Sequence, residues 1–404
     1  MKKRFNVATI IGLMLLVAAV TFTVTYLTVE RHFQEQLAVE GSRDKIFSKL
    51  DTIINIIEDK YVGEYELDDL IDGAAFGIVA ATGDQWSYYL DEEDYARYKE
   101  SVMNQYVGIG VTVTFDAERG ALIVTKVHAG SPAEESGLKP KDMIIGVNGE
   151  KVADLGYEET VNRVRGEENT PVTIEFQRGE TIMTREIVRR SYLYNPVSSK
   201  IIAGNIGYIR IDNFDSRVDV SFEDAVGKLL DADVKGLIFD VRGNPGGLKN
   251  AMVNMLDLLC PEGVLFTMRD KNGNVSVDYS APGEISLPMA VIIDNNSYSA
   301  AEFFAAALQE YGKAEIVGTA TTGKGYSQEH FELGDGSALK LSTHEYFTPN
   351  GKSLIGIGVT PDHYVELNFD GSFLLLEEQE DNQLQKAIEV VGLKIAQNAQ
   401  QQEP

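Results

Sequence analysis

The stretch Met289–Gln328 reads MAVIIDNNSYSAAEFFAAALQEYGKAEIVGTATTGKGYSQ. It opens with a short, β-branched apolar run of the kind found in buried strands. After a polar turn, an alanine-rich amphipathic run extends from Ser299 to about Tyr311, and Gly312 closes it as a helix stop. A second apolar run, Ala314–Val317, leads into a glycine-rich segment. The pattern predicts a strand, a tight turn, a helix and a second strand.

Ser299 lies at the start of the predicted helix, where two interpretations are open. The first backbone N–H groups of a helix lack intrahelical partners, and the helix dipole favours negative charge there. An oxyanion formed beside Ser299 would be stabilised by that geometry. The sequence Ser299-Ala-Ala-Glu302 is also a capping box, which requires no chemistry of the serine. From this segment alone, capping is the simpler interpretation.

Lys324 is a candidate base for the serine hydroxyl. A neutral lysine can activate a serine, but the ordinary lysine pKa is about 10.4, so the amine must be desolvated first. One alternative is a surface lysine in a glycine turn. Another is a phosphate-binding loop, because Gly318–Lys324 has the G-x-x-x-x-G-K spacing. Against a nucleotide site, Gly325 stands where Ser or Thr is required, and Tyr326–Leu341 predicts a hairpin instead of a helix.

The ordered motifs of this stretch resemble those of the carboxyl-terminal processing, or tail-specific, serine proteases. The resemblance is carried by Asn296–Glu302 and by Gly323-Lys324-Gly325, with a glutamine four residues past the lysine. It implies a nucleophile, a general base and an amide that orients the base, at Ser299, Lys324 and Gln328 respectively. The family has Ser-Ala-Ser-Ala-Ser-Glu in this turn, and two positions that are not catalytic depart from it, Tyr298 and Ala301.

Composition narrows the classes of function. The 404 residues are enough for two or three domains, and 44% of them are hydrophobic, as in proteins with packed cores. The net charge is −26, which argues against nucleic acid as a partner. The single cysteine, Cys260, ends an apolar run and predicts a buried thiol. The five histidines lack metal-ligand spacing, so neither a metal nor a cofactor is expected. His344 could form a Ser-His pair on spacing alone, although its alternating context predicts a strand.

Residues 1–29 predict a cytoplasmic start and a transmembrane anchor. Lys2-Lys3-Arg4 precede an uncharged run from Phe5 to Val29, which is long enough as a helix to cross a bilayer. The basic start predicts a cytoplasmic N-terminus, and hence a single-pass protein of the cell membrane with an extracytoplasmic catalytic part. A cleaved signal peptide is the alternative, but Ala18-Ala19 offers a poor cleavage site.

Residues 30–105 predict a helical N-terminal segment. Apolar residues recur at helical spacing in its first part, and Leu70–Ala81 predicts a further helix; the recurring residues are Ile46, Leu50, Ile53, Ile54 and Ile57. Packing or dimerisation is the expected role, so a homodimer is one expectation. The segment Asp84–Leu90 resembles the family's sequence ahead of its peptide-binding module.

Residues 106–190 resemble a PDZ domain. Four residues supply a glycine loop before a strand: Gly108, Ile109, Gly110 and Val111. Such a loop presents backbone N–H groups to a peptide carboxylate, while the strand edge accepts the peptide. The ordered series Gly130–Ala133, Gly137-Leu138 and Asp142–Gly149 carries the resemblance further, and Glu159–Arg165 would be the groove helix. The resemblance implies substrates with a free C-terminus as partners, and it places at Arg165 an arginine that links the module to the active site.

Residues 191–367 form the predicted catalytic core. Gly207–Ile211 and Val234–Asp240 predict strands, and the glycine-rich turn Asp240–Gly247 leads into a predicted helix over Leu248–Leu259. This turn either simply joins a strand to a helix or aims backbone N–H groups at an oxyanion. The resemblance assigns the second role to Gly247, jointly with the amide of Ala300.

Together these segments predict a multidomain α+β protein. It comprises the transmembrane helix, the helical segment, the PDZ domain, an α/β Ser-Lys protease core that the resemblance makes crotonase/ClpP-like, and a C-terminal helix and tail over residues 368–404. Two functions are open. The first is a membrane-anchored serine endopeptidase that recognises substrate C-termini. The second is a non-catalytic, membrane-anchored PDZ scaffold. The presence of Ser299, Lys324 and Gln328 together favours the enzyme.

Overall fold

The computed structural model describes residues 7–401, which divide into two compact units at Gly73/Ala74. The first unit contains helix α1, Val7–Lys60, and the start of helix α2, Leu67–Ala80. The expected helical segment is therefore interrupted. Gly83, with φ of 74°, lies in the turn after α2, because glycine adopts this left-handed conformation without steric cost.

The expected transmembrane helix is not supported by the structure. The apolar run Phe5–Val29 enters α1 at Val7 and continues without a break into a polar stretch, and the basic start Lys2–Arg4 lies outside the described residues. Across residues 7–401, no helix combines the length and the apolar character needed to span a bilayer.

The second unit begins within α2, which is followed by strand β1, Tyr88–Leu90, helix α3, Glu92–Val102, and strand β2, Gln105–Gly108. Strand β2 pairs antiparallel with β9, Arg190–Leu193. This two-stranded ribbon brings together the two ends of the segment predicted as a PDZ domain.

Between β2 and β9 lies a small antiparallel sheet with its own apolar core. Its strand order is β3-β4-β5-β7-β8, with β6 paired to β5. The core includes Leu122, Ile144 and Phe176, all nearly inaccessible to solvent. The elements are β3 Val111–Asp116, β4 Ala121–Val127, α4 Pro132–Glu135, β5 Met143–Val147, β6 Glu150–Lys151, α5 Val152–Val164, β7 Pro171–Arg178 and β8 Thr181–Val188.

The largest core is built on a six-stranded sheet. Its strand order is β10-β11-β12-β15-β16-β19, in which β10 is antiparallel and the other strands are parallel. Strands β12 and β15 are buried along their whole length, which explains their continuous apolar runs. The strands are β10 Val197–Ile202, β11 Ile206–Ile211, β12 Gly236–Asp240, β15 Met289–Ile293, β16 Ala314–Gly318 and β19 His363–Tyr364.

Helices cover both faces of this sheet. One face packs against helices α6, Val218–Asp231, α7, Lys249–Leu259, and α8, Ala300–Glu310. The other face packs against α9, Asn382–Gln401, through residues such as Leu384 and Val391. A short 3-10 helix, Phe373–Leu375, precedes α9.

A second sheet contains the predicted hairpin. Strand β17, Tyr326–Glu332, pairs with β18, Ala338–Phe347, and β18 also pairs with β1 and with β13, Gly263–Asp270. Strand β14, Val275–Ser280, completes the sheet at the far side of β13.

The parallel strands position the candidate site. Strands β12, β15 and β16 end at Asp240, Ile293 and Gly318, and their carboxyl ends meet at one edge of the sheet. In open α/β sheets this edge is where ligands bind. The three loops that leave it carry the glycine-rich turn, Ser299 and Lys324.

Candidate active site

Ser299 occupies a strained turn between β15 and α8. Its backbone has φ of 59° and ψ of −122°, a region that residues with a Cβ rarely adopt and that often marks functional sites. The turn is held by Asp294, whose Oδ1 accepts hydrogen bonds from the backbone N–H groups of Gly243 at 2.8 Å and Asn296 at 3.0 Å. Ser299 is only partly buried, and its side chain interacts with the hydroxyl of the buried Tyr346.

The capping box that the sequence allows is also present. The Oε2 atom of Glu302 accepts a hydrogen bond from the backbone N–H of Ser299 at 3.0 Å. The two interpretations of Ser299 are thus compatible, because the cap fixes the turn that presents the hydroxyl.

Glu302 ties the serine turn to the lysine loop. It is fully buried, and it also accepts hydrogen bonds from the backbone N–H groups of Lys324 at 2.9 Å and Gly323 at 2.6 Å, and from the Thr321 hydroxyl at 2.5 Å. Burial raises the pKa of Glu302, and these donors oppose that rise. All four donors point at the carboxylate, so it acts as a charged clamp between the two loops.

Lys324 is buried with its amine against aromatic rings. The side chain is only 6% exposed, and Nζ lies 4.7 Å from the centre of the Trp86 ring. Its backbone carbonyl accepts a hydrogen bond from the Tyr346 hydroxyl. Burial, followed by the charge of Lys340, lowers the pKa of Lys324 to about 8. An amine with this pKa is partly neutral near physiological pH, as a general base must be.

Strand β17 begins at Tyr326, two residues after Lys324, where a phosphate-binding loop would require a helix. The geometry therefore disfavours the nucleotide site considered from the G-x-x-x-x-G-K spacing.

Gln328 lies on β17, close in sequence to Lys324, but its side chain forms hydrogen bonds with other residues. Its side-chain amide donates to the carbonyl of Tyr326 at 2.8 Å and to the hydroxyl of Ser342 at 3.2 Å. No hydrogen bond between Gln328 and Lys324 occurs within the part of the chain that the structure describes. Its role in orienting the lysine stays a prediction.

The glycine-rich loop after β12 packs directly on the serine turn. Gly246 has φ of 85°, and a Cβ added there would lie 2.7 Å from the Cβ of Ser299. Gly247 has φ of 145°, and a Cβ there would lie 2.2 Å from the carbonyl oxygen of Phe214. Only glycine permits this close approach.

Two backbone N–H groups beside Ser299 are available as donors. Those of Gly247 and Ala300 take part in no hydrogen bond among residues 7–401. Ala300 is the first residue of α8, so its N–H has no intrahelical partner. Unpaired N–H groups at a helix start suit a developing oxyanion.

The predicted peptide-binding loop lines a groove of about 310 Å³ in the small domain. Gly108–Val111 forms one wall, and Val161, Val164 and Arg165 contribute the other. Arg165 lies here and not at the serine turn. Within the described chain, no hydrogen bond or ion pair joins it to Ser299 or Lys324, and the predicted link between module and active site stays a prediction.

Reasoning from the sequence missed three contributors to the site. Trp86 and Asp84 come from the segment before β1, and Gly246 precedes the glycine that was singled out. The Asp84–Leu90 motif was visible in the sequence, but only the pairing of β1 with β18 brings it to the lysine.

Comparison with known proteins gives three family matches along the chain. Residues 205–365 match the description "Peptidase family S41", residues 123–178 match "PDZ domain", and residues 13–94 match "Activating protease CtpB N-terminal domain". The chain is 32% identical over 329 residues to the carboxy-terminal processing protease CtpB of Bacillus subtilis, covering 80% of this chain and 68% of that one.

Two further relatives extend the comparison. The carboxy-terminal processing protease CtpA of Bacillus subtilis is 33% identical over 327 residues, covering 80% of this chain and 70% of the relative. The solved structure of the photosystem II D1 C-terminal processing protease is 26% identical with a TM-score of 0.50, covering 76% of this chain and 84% of that one. The chain therefore belongs to the carboxy-terminal processing serine proteases of this peptidase family and carries a PDZ domain.

Proposed function

We propose that the protein is an endopeptidase in which Ser299 and Lys324 form the catalytic dyad. The observation that carries this proposal is the Glu302 clamp, which binds the backbone of both residues while the lysine amine is buried. Neutral Lys324 takes the proton of the Ser299 hydroxyl, and the serine oxygen attacks the peptide carbonyl.

The N–H groups of Gly247 and Ala300 stabilise the resulting oxyanion. Protonated Lys324 then donates its proton to the leaving amine, and water hydrolyses the acyl-enzyme. In this cycle Gln328 supports the segment that follows the lysine, because its amide donates to the carbonyl of Tyr326 and to the hydroxyl of Ser342.

The test compares Ser299→Ala and Lys324→Met with the unchanged chain on an unfolded protein of known C-terminus. We expect both variants to lose at least about 1,000-fold in kcat/KM, since nucleophile and base act as a unit. Lys271→Met, at an exposed lysine, is the matched control and should retain activity. Cleavage retained in either dyad variant would refute the proposal. Intact peptide binding with no cleavage by the unchanged chain would instead favour the scaffold function.

We also propose that the groove of the PDZ domain binds the free C-terminus of the substrate. The support is the position of Gly110, which has φ of 81° and lies so close to Ser131 that a Cβ would approach its Cβ to 2.2 Å. A side chain there would distort the loop whose N–H groups face the carboxylate.

We expect Gly110→Ala to weaken peptide binding at least about 10-fold, measured by fluorescence anisotropy with a labelled peptide. Gly137→Ala is the control, because Gly137 also has a positive φ, of 80°, but nothing lies within 4 Å of the added methyl. Equal binding of a C-terminally amidated peptide would contradict carboxylate recognition.

The N-terminal region supports a further proposal, which rests on the sequence. The basic residues Lys2–Arg4 and the uncharged run to Val29 suit attachment to the cell membrane with an extracytoplasmic catalytic part. Fractionation of cells, with mass spectrometry of the N-terminus of the extracted protein, tests it. Recovery of the intact chain only in the soluble fraction would contradict it.

We propose pairing of two copies through α1. Phe47 and Ile54 lie on the same face of this helix and are 67% and 39% exposed, and a second copy would bury such side chains. Analytical ultracentrifugation should give a dimer that Phe47→Glu dissociates. A monomer at all concentrations would contradict the proposal.

A further inference from the structure

We propose that Trp86 and Tyr298 form an aromatic cover over the amine of Lys324, and that Trp86 is a positioning residue which keeps this amine dry and neutral. The inference deepens the proposed dyad and rests on it. It assigns a role in catalysis to a segment outside residues 205–365, the part that matches the peptidase family.

The geometry places both rings against one amine. The Nζ of Lys324 lies 4.7 Å from the centre of the Trp86 ring and 5.9 Å from that of Tyr298. The two rings contact each other, with centres 5.7 Å apart and planes at 33°. Both aromatic side chains are half-buried, whereas the lysine is only 6% exposed. The rings therefore stand between the amine and solvent.

Hydrogen bonds hold Trp86 in this place. Its backbone N–H donates to Oδ1 of Asp84 at 3.0 Å, and the Ser87 hydroxyl donates to the other carboxylate oxygen at 2.5 Å. The Ser87 hydroxyl in turn accepts the backbone N–H of Ser342 on β18 at 2.9 Å. Since the next residues form β1 and pair with β18, the segment is fixed on the same sheet as the lysine loop.

The charges around Lys324 do not by themselves account for a neutral amine. The positive Lys340 lowers the pKa of Lys324, while the carboxylates of Glu302 and Asp84 raise it. The phenols of Tyr298 and Tyr346 stay uncharged near pH 8, because burial raises the pKa of each. Burial is the main cause of the lowered pKa of Lys324, and the cover supplies part of that burial.

An aromatic face acts on a lysine in two opposite ways. It attracts the ammonium ion, which raises the pKa, and it removes water, which lowers the pKa. At a buried site the loss of hydration is the larger effect on a lysine. Removing the Trp86 ring should therefore admit water and raise the pKa of Lys324 towards its ordinary value.

The first test uses the fact that Trp86 is the single tryptophan of the chain. Its fluorescence, followed in the full chain from pH 6 to pH 10, should show a transition with a midpoint of about 8, the pKa of Lys324. Lys324→Met should abolish that transition, and Lys271→Met should keep it. No transition, or the same transition in Lys324→Met, would overturn the proposal.

The second test measures the lysine itself. Acetylation of Lys324 by acetic anhydride, quantified by mass spectrometry over pH, reports the pKa of the amine without requiring catalysis. We expect Trp86→Ala to raise its midpoint by about 1 pH unit and Trp86→Phe, which keeps a ring, to change it less. An unchanged or lower midpoint in Trp86→Ala would overturn the proposal. Thermal melts identify any variant that fails to fold, in which case Trp86→Leu replaces Trp86→Ala.

Activity then separates this proposal from the dyad on which it rests. The acid limb of the kcat/KM profile should move upward with the acetylation midpoint, so that Trp86→Ala loses about 10-fold near pH 7 and recovers above pH 9. A chain that never cleaves would refute the dyad, while the fluorescence and acetylation results would still decide the cover. A pH-independent loss of activity in Trp86→Ala, with an unshifted midpoint, would mean a merely structural role.

Discussion

At the scale of single residues, the fully buried Glu302 determines how the site is assembled. Its two oxygens accept four hydrogen bonds, from Ser299, Thr321, Gly323 and Lys324. The same residue serves as the helix cap expected from the capping box. The hydrogen bond that caps the helix and the hydrogen bonds that join the two loops use the same carboxylate, because backbone N–H groups of both loops converge on it.

We predict that Glu302→Gln lowers stability by about 2–4 kcal/mol and kcat by about 100-fold, because an amide NH2 group cannot accept hydrogen bonds. It should also move the acid limb of the pH profile downward, since the negative charge of Glu302 raises the pKa of Lys324. Denaturant unfolding and pH-rate profiles measure both effects.

The matched control is Glu329→Gln, which changes an exposed carboxylate on β17 and should leave stability and activity unchanged. If Glu302→Gln were as stable and as active as the unchanged chain, the clamp would be irrelevant to the site.

At the scale of elements, the loop between β12 and α7 and the turn between β15 and α8 act as one unit. The Phe214 N–H donates to the carbonyl of Gly246 at 2.8 Å, and the N–H of Leu248 donates to the carbonyl of Phe214 at 2.6 Å. These bonds seat the glycine loop beside Ser299 and leave the N–H of Gly247 unused. The parallel register of β12 and β15 places both loops at the same edge.

We predict that Gly246→Ala lowers kcat/KM at least about 100-fold, because the methyl would lie 2.7 Å from the Cβ of Ser299 and displace this proposed nucleophile. Gly243→Ala tests the contribution of backbone strain alone. Gly243 has φ of 64° and open space around the added methyl, so that variant should cost about 1 kcal/mol in stability and little activity. Equal losses in the two variants would contradict a specific contact with the nucleophile.

At the scale of the whole second unit, a buried ionic network connects the PDZ sheet, the catalytic core and α9. Lys126 on β4 pairs with Asp212 at 2.6 Å, and Arg210 bridges Asp212 and Asp240. Arg242 then joins Asp240 at 2.6 Å to Asp381, just before α9, at 2.7 Å. Asp240 and Arg242 begin the glycine-rich turn, so the network ties this turn to β11 and to the segment before α9.

The network predicts the acid stability of the unit. Asp240 is fully buried, and although burial opposes its ionisation, the charges of Arg242 and Arg210 lower its pKa to about 2, from 3.8. A carboxyl group whose pKa is lower in the folded protein than in the unfolded chain stabilises the fold at pH values above the unfolded-state pKa. This stabilisation is lost as the pH falls through the folded-state pKa. We expect a loss of about 2 kcal/mol between pH 4 and pH 2, measured by urea unfolding.

Asp240→Asn should lose about 3–5 kcal/mol at neutral pH, because it removes the buried charge that Arg210 and Arg242 share and leaves each arginine with one carboxylate, Asp212 or Asp381. This variant should also show a smaller decrease in the free energy of unfolding between pH 4 and pH 2. Asp224→Asn, at an exposed pair with Lys228 on α6, is the control and should change stability by less than about 1 kcal/mol. An unaltered acid dependence in Asp240→Asn would exclude Asp240 as its source.

Much of this organisation could be read from the chain alone, since it depends on local patterns. The apolar run Met289–Ile293, the helix after Ser299 and the hairpin after Lys324 have periodicities that specify each element without its neighbours. The serine, the lysine and the glycine loop were identified because their motifs lie at characteristic spacings. The long helical segment was less well predicted, because helical spacing continues across the breaks at residues 61–66 and 81–91.

Other properties exist only in three dimensions. The order and spacing of the motifs along the chain were enough to single out Ser299, Glu302 and Lys324. The same motifs were enough to indicate the family. Only the tertiary structure shows that Glu302 joins two loops, that the N–H groups of Gly247 and Ala300 have no partner among residues 7–401, and that aromatic rings cover Lys324. The physical reason is that a pKa near 8 and an unpaired donor arise from burial and from neighbours distant in sequence, such as Trp86, and no local pattern encodes those.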